Sequence, residues 1–413
     1  MTYSMRSYSI GLLLSLAGAS LLFCGCGAPE ARFRLNAVYM ERQKKEASAD
    51  DLTRQQYEDV VDILAAFFGT PDEPNWPSLP EIDTDDVVEL SKLTKAAGAV
   101  SSDRLGEARG LYREHCIHCH GANGDGMGPT AAFLNPYPRD YRMGVFKFKS
   151  TPGETPPTND DLHRILVNGV PGTAMPSFKL LAQDELEALE HYVRYLAIRG
   201  EVERSLIRQT CDMGEGERLL DLSKLQEEDS KEGRKIKSLQ KTVAGVMKKW
   251  IAANEQAVKI SARPEYGAAG APHKTFNESI SAGRELFFGN VANCAKCHGD
   301  TALGDGTTNA YDKWTEELEP KNPEALEKYL ALGALQPRYA LPRNLRQGIY
   351  RGGRRPIDIF WRIKNGIAGS PMPAANAALK DEDIWDLVNY VQSLPFESIS
   401  RPPGRELYNR ERL

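Results

Sequence analysis

An excess of charge of either sign is what this 413-residue sequence most clearly lacks: 52 basic residues stand against 57 acidic ones, a formal net charge of -5. So close a balance excludes the basic field that nucleic-acid binding needs, and electrostatics alone names no substrate. Long hydrophobic runs are lacking too. The one near the amino terminus, Ile10 to Phe23, is too short for a comfortable membrane span. Neither a multi-span membrane protein nor a disordered chain fits a composition of 41% hydrophobic and 26% charged residues. Loop-forming sequence, by contrast, is plentiful, with 25 prolines and 35 glycines. The length suits two or three hydrophobic cores, with two domains as the starting expectation.

The amino terminus, MTYSMRSYSIGLLLSLAGASLLFCGCG, carries one positive charge at Arg6, then the apolar run, then small residues around two cysteines. That order is the pattern of an export signal. Cleavage before Cys26 resembles the lipobox of bacterial lipoproteins, with Phe23 where leucine is usual. The resemblance implies that residues 1–25 are removed and that Cys26 receives diacylglycerol. A soluble secreted protein cut nearby by ordinary signal peptidase is the alternative. On either reading the mature chain is expected outside the cytoplasm.

Export leaves little cysteine for disulfides. On the lipobox reading Cys24 would depart with the leader and Cys26 would carry lipid; Cys211 stands alone, and the other four form two close pairs, Cys116 with Cys119 and Cys294 with Cys297. Each pair runs straight into a histidine, in EHCIHCHGANGDG at 114–126 and NCAKCHGDTALGDG at 293–306. Vicinal thiols outside the cytoplasm oxidise unless something consumes them, and Cys-x-x-Cys-His is the attachment signature of haem c. Each cysteine adds to a haem vinyl group as a thioether, and His120 and His298 turn their imidazoles to the iron. Zinc would need a second pair at matching distance from each copy, which neither has. A thioredoxin-like redox pair gives no reason for histidine to follow both times.

Around these signatures the sequence resembles class I cytochrome c domains, twice over. EARGLYREHCIHCH offers Leu111 and Tyr112, and SAGRELFFGNVANCAKCH offers Gly283, Leu286 and Phe287, similar to the amino-terminal helix of that family. DELEALEHYVRYLA places Leu186, Leu189, Val193 and Leu196 at helical spacing, and DEDIWDLVNYVQSLP does so with Ile384, Leu387, Val391 and Leu394, similar to its carboxy-terminal helix. Gly124-Asp125-Gly126 and Gly304-Asp305-Gly306 follow the two histidines, and PRD at 138–140 and PRN at 342–344 come next. The resemblance lays this segment against the haem edge, making Arg139 and Arg343 candidate partners of the propionates. DLHRILVNGVPGTAMPSF and DIFWRIKNGIAGSPMPAA each give a short amphipathic helix, a glycine and Met-Pro. By the same resemblance Met175 and Met372 are the distal ligands. Met372 is the only methionine of its domain, whereas Met127, Met143, His163 and His191 leave the first domain less constrained.

The expected architecture is mainly α. A leader (1–25) and a helical preface (26–100) precede a first cytochrome c domain (101–200), a helical bridge (201–274), a second domain (275–400) and a tail (401–413). The preface shows one amphipathic helix, DDLTRQQYEDVVDILAAFFG, with Leu52, Val60, Leu64 and Phe67 on one face. In the bridge, Ile236, Leu239, Val243, Val246, Trp250 and Ala253 follow a 3-4 spacing that suits intramolecular packing or a coiled-coil seam with a partner. The insertion YDKWTEELEPKNPEALEKYLALGAL lengthens the second domain. The resemblance implies two haem c groups passing single electrons in a respiratory chain, on the periplasmic side of a bacterial membrane. An oxidase or quinol-oxidising complex is the expected redox partner, and the chain itself is expected not to be an enzyme. A dihaem cytochrome c peroxidase is the enzyme alternative, but it needs one iron with a displaceable sixth ligand, while both repeats supply a methionine. A haem-based sensor, or a subunit permanently bound to a dehydrogenase, would instead use the preface and bridge as partner surfaces.

Overall fold

Capping residues in the sequence set where most helices begin. The computed structural model describes residues 31–80, 82–100, 110–214, 216–221, 224, 230–306, 310–311 and 323–400. The expected leader with Cys26, the tail and part of the second-domain insertion lie outside them. Helices α1 (Ala37–Ala47), α2 (Arg54–Phe68) and α3 (Leu90–Ala96) precede the first haem signature, which is carried by α4 (Leu111–His115) and α5 (Ile117–His120). Helix α6 (Asn159–Asn168), the 29-residue α7 (Gln183–Cys211) and α8 (Lys231–Ile251) follow. The second repeat runs through α9 (Phe276–Phe288), α10 (Ala295–His298), α11 (Pro323–Ala331), α12 (Pro356–Asn365) and α13 (Asp381–Ser393). Among the described residues no strand forms, and only isolated residue pairs bridge, so the fold is mainly α as expected. No described helix is long and apolar enough to cross a membrane.

Thr53 and Gln56 cap α2 reciprocally, and Thr158 and Asp161 do the same for α6. Glu185 accepts from the Ala182 amide at 3.0 Å and Asp383 from the Lys380 amide at 2.8 Å, which opens α7 and α13 at equivalent points of the two repeats. Phe33–Leu413 is one compact unit; of the other, Met1–Arg32, only the last two residues are described.

The larger hydrophobic core joins the preface, the first haem domain and the bridge. Leu189 and Leu196 of α7 share it with Val60 and Leu64 of α2 and with Val243, Met247 and Trp250 of α8. The bridge stripe therefore packs within the chain. Glu201 of α7 reinforces this contact, accepting from the Trp250 indole at 2.8 Å and pairing with Lys249 at 2.6 Å. Helix α7 runs unbroken through Gly200, so the domain boundary expected there falls inside a helix. Three preface helices form where the sequence pattern suggested one. Helix α1 has only a narrow apolar face and is held by tertiary contacts, its Tyr39 buried beneath the Arg204 guanidinium at 3.7 Å.

The second haem domain has its own core, centred on the crossing of α9 and α13. Phe287 meets Tyr390 edge-on, ring centroids 5.3 Å apart, and in the first domain Tyr112 packs on Tyr192 at 4.7 Å with the rings tilted by 38°. Gly283 permits the close approach, because a Cβ there would collide with the Asp386 carbonyl oxygen. Gly283→Ala is expected to destabilise the second domain by about 1–3 kcal/mol through overpacking. Urea denaturation followed by haem absorbance reads this directly, and an unchanged midpoint would contradict the tight crossing.

Candidate haem centres

Each Cys-x-x-Cys-His sequence closes into one helical turn. The His120 amide donates to Cys116 O at 2.9 Å and the His298 amide to Cys294 O at 2.9 Å, which gathers both cysteines and the histidine at one place. None of the five described cysteines is paired in a disulfide. Burial pushes the Cys116 thiol up to about 12 and the Cys294 thiol up to about 11. Both histidine rings are enclosed, and burial lowers His120 to about 4 and His298 in the same direction. Each imidazole is therefore neutral near neutral pH, the form that binds a metal.

One nitrogen of each ring is already committed. His120 Nδ1 lies 3.0 Å from Arg139 O, and His298 Nδ1 lies 3.2 Å from Arg343 O. These contacts fix the tautomer with the proton on Nδ1 and leave Nε2 as the electron-pair donor. Sequence reasoning singled out the two arginines for their side chains; their backbone carbonyls were not legible from any local signal. In the first domain Tyr141 also stacks on His120, ring centroids 4.6 Å apart and 17° from parallel, where the second domain has Leu345.

The loops after the histidines superimpose in hydrogen bonding, with a shift from the expected register. The Gly126 amide donates to His120 O at 3.0 Å and the Gly304 amide to His298 O at 2.9 Å. Tyr141 donates to Gly124 O at 2.7 Å and Leu345 to Ala302 O at 2.9 Å. The two Gly-Asp-Gly triplets are thus offset by two residues, and Ala302, at φ +59°, takes the place of Gly124.

The Met-Pro loops repeat almost bond for bond. Helices α6 and α12 end at Gly169 and Gly366, with φ of +64° and +66°, and the returning chain passes where a side chain would stand. Only glycine fits both demands. Val170 then donates to Met175 O at 3.1 Å and Ile367 to Met372 O at 3.0 Å, while the hydroxyls of Thr173 and Ser370 bond back to Val170 O and Ile367 O at 2.7 and 2.8 Å. Both methionines are partly buried. The competing histidines are engaged elsewhere: His163 with Glu190 at 2.7 Å, His191 with the Glu89 amide at 3.0 Å and His273 with Asp386 at 2.8 Å.

In the second domain Cys294, Cys297, His298, Arg343 and Met372 line one cavity of about 910 Å³. The residues there fit a haem. A buried imidazole has its second nitrogen tied back, two thiols stand beside it, and a methionine shares the same walls. Buried Arg343 Nε has no protein partner, as expected of a guanidinium that faces a carboxylate. The first domain places Cys116 in the main core with Met175 packed against it. Sequence reasoning missed Tyr137, Lys147 and Phe148 of the first domain, which help to line the second domain's cavity. Nothing in the local pattern connects positions so far apart.

Comparison with known proteins bears on this geometry. No curated protein matches the chain. A solved structure of a reducing HAO-like protein complex from Kuenenia stuttgartiensis is similar over 69% of this chain and 94% of that one, at 22% identity and a TM-score of 0.43, a likeness too slight to carry an argument. The profile of the cytochrome c family matches residues 106–197 and 280–395, half of the sequence, with one haem signature and one Met-Pro loop in each stretch. The chain belongs to the cytochrome c family as a tandem member, and it carries two covalently bound haem c groups.

Proposed function

We propose that this electron-transfer protein serves a membrane-associated respiratory chain on the periplasmic side of a bacterial membrane. It acts there as a carrier or as the electron-transfer subunit of an oxidase or quinol-oxidising complex. The observation that supports this reading is that both repeats offer the same ligand environment: a neutral histidine fixed through Nδ1 and a Met-Pro loop built on identical hydrogen bonds. Cys116 and Cys119, and Cys294 and Cys297, are the attachment points. His120 and His298 supply the proximal nitrogen, Met175 and Met372 the distal thioether. Bound haem supplies a one-electron ferric/ferrous couple, with a potential that His/Met ligation raises. The protein's part is to hold both ligands still, so that electron arrival and departure demand little rearrangement. Arg343 is the propionate partner in the second site, where its Nε lacks any other acceptor. A peroxidase would require one site to give up its distal side chain, and the two Met-Pro loops are equally well built.

The lipid reading of Cys26 completes this assignment. A diacylglycerol brings two chains, and stable anchoring takes more than one.

Replacing Cys116 and Cys119 together by serine leaves one haem per chain after acid-acetone extraction, because only thioether-bound haem survives; two retained haems would overturn the attachment sites. Met372→Ala removes one share of the near-infrared methionine-to-ferric-iron band and opens one iron to carbon monoxide. It also lowers one of two midpoint potentials by at least about 59 mV, a tenfold change for one electron. If band and potentials stay as they were, the second iron has another ligand. Cys26→Ser releases folded cytochrome into the soluble fraction, and a variant still on membranes in high salt would rule out anchoring by lipid on this residue.

A further inference from the structure

The cavity of the second haem domain is not closed by that domain alone. Its wall includes Asn135 to Arg139, Lys147 and Phe148, all from the first haem domain. We propose that the first domain completes the second haem's site from across the domain boundary, with Arg139 and Lys147 facing the haem's carboxylate edge and raising its reduction potential. This inference rests on the reading of both repeats as haem-bearing electron-transfer centres.

Three observations support a built wall rather than a chance contact. Segment 135–139 is gripped from both sides. Arg139 O receives His120 Nδ1 of its own domain, while Arg338 of the second domain lies over the Tyr137 ring at 3.9 Å and donates to Leu134 O at 2.5 Å and Ala132 O at 2.9 Å. Next, Phe148 lies against Gly352, where a Cβ would meet the ring at 2.5 Å, so the Phe148 side chain packs on that backbone as closely as a glycine allows. Beside it, Ser150 O accepts from Asn365 of α12 at 3.1 Å and from the Val258 amide of the bridge at 3.0 Å. Asn365 immediately precedes the glycine that starts the Met372 loop, so the first domain braces that loop as well.

Charge supplies the direction of the effect. Among the described residues lining the cavity, every charged side chain is cationic and no carboxylate appears; the first domain adds Arg139 and Lys147 to Lys296, Arg338, Arg343, Arg351 and Arg362 of the second. A wall of this sign suits an anionic edge such as the carboxylates of a haem. A cation near the iron disfavours the ferric state relative to the ferrous state, the more so behind low-dielectric walls, so each one raises the midpoint. The reciprocal contact points the same way: Gly172, in the Met175 loop, lies where a Cβ would be 2.8 Å from Arg343 Nη2. The two sites therefore share a boundary on which the Pro-Arg segments of both domains meet.

The test uses full-length holoprotein in which Lys147→Gln, Arg139→Gln and their combination are titrated potentiometrically. Haem content is read alongside by pyridine haemochrome. The second haem's midpoint is assigned as the one absent from the Cys294→Ser/Cys297→Ser protein and kept in the Cys116→Ser/Cys119→Ser protein. The expected result is a fall of that midpoint in each glutamine variant. In the double variant the reduction constant falls about tenfold, or about 59 mV, and in Lys147→Gln, which leaves the His120 partner Arg139 in place, the first haem's midpoint holds. Lys147→Arg and Arg139→Lys restore the wild-type value. Lys147 is only half-buried and keeps the test available if Arg139→Gln fails to fold. A second midpoint unmoved in Lys147→Gln and in the double variant overturns the proposal, as does a fall confined to the first haem. If instead both serine variants retain two haems, the assignment of the haem centres fails, a result distinct from two assigned haems with an unmoved second midpoint.

Discussion

A neutral imidazole buried in protein has one N–H to satisfy and one lone pair to offer, and the two haem sites are organised around that fact. Leaving the N–H unpaired costs about 1–3 kcal/mol, so a carbonyl must be brought to it. In both repeats the carbonyl belongs to the arginine of a Pro-Arg segment, 19 residues past the histidine in the first domain and 45 in the second. Meeting that requirement folds the intervening loop back across the Cys-x-x-Cys-His turn and sets which nitrogen remains for the metal. The insertion before Arg343 changes the length of the detour and leaves the bond unchanged.

Helix packing supplies the frame in which the bond can form. Aromatic pairs, Tyr112 with Tyr192 and Phe287 with Tyr390, fix the crossing of the outer helices in each repeat. Beyond that common frame the repeats differ in their surroundings. The preface and bridge bury their apolar faces on the first domain and make one core with it, whereas the second domain keeps a smaller core and a cavity walled partly by its neighbour. The two repeats thus present similar histidine turns and Met-Pro loops in unequal surroundings. Unequal settings are what separate the potentials of otherwise identical centres.

How much could be read without coordinates varied with the range of the interaction. The outer helices, the helix before each Met-Pro loop and the bridge stripe through Leu239, Val243 and Trp250 were legible, because each is an apolar period within a short window. Helix α1 was missed because its stability lies in Tyr39 beneath Arg204 rather than in its own pattern. The Gly-Asp-Gly triplets misled for the opposite reason. Identical letters suggested identical places, yet the hydrogen bonds pair Gly124 with Ala302, since backbone position and not residue identity decides what a loop does.

What the sequence by itself determined is the chemistry: two attachment signatures, each closed by a histidine, and a methionine after each short helix and glycine. Thioether formation and metal ligation require particular side chains, and those cannot be disguised. What only the tertiary structure decided is which groups surround that chemistry. That Arg139 and Arg343 hold the imidazoles through backbone oxygen, that Tyr141 stacks on His120, and that Lys147 and Phe148 stand in the other domain's cavity all depend on how the chain packs. A carbonyl is the same in every residue and a domain contact joins positions more than a hundred residues apart, so neither leaves a mark in local sequence.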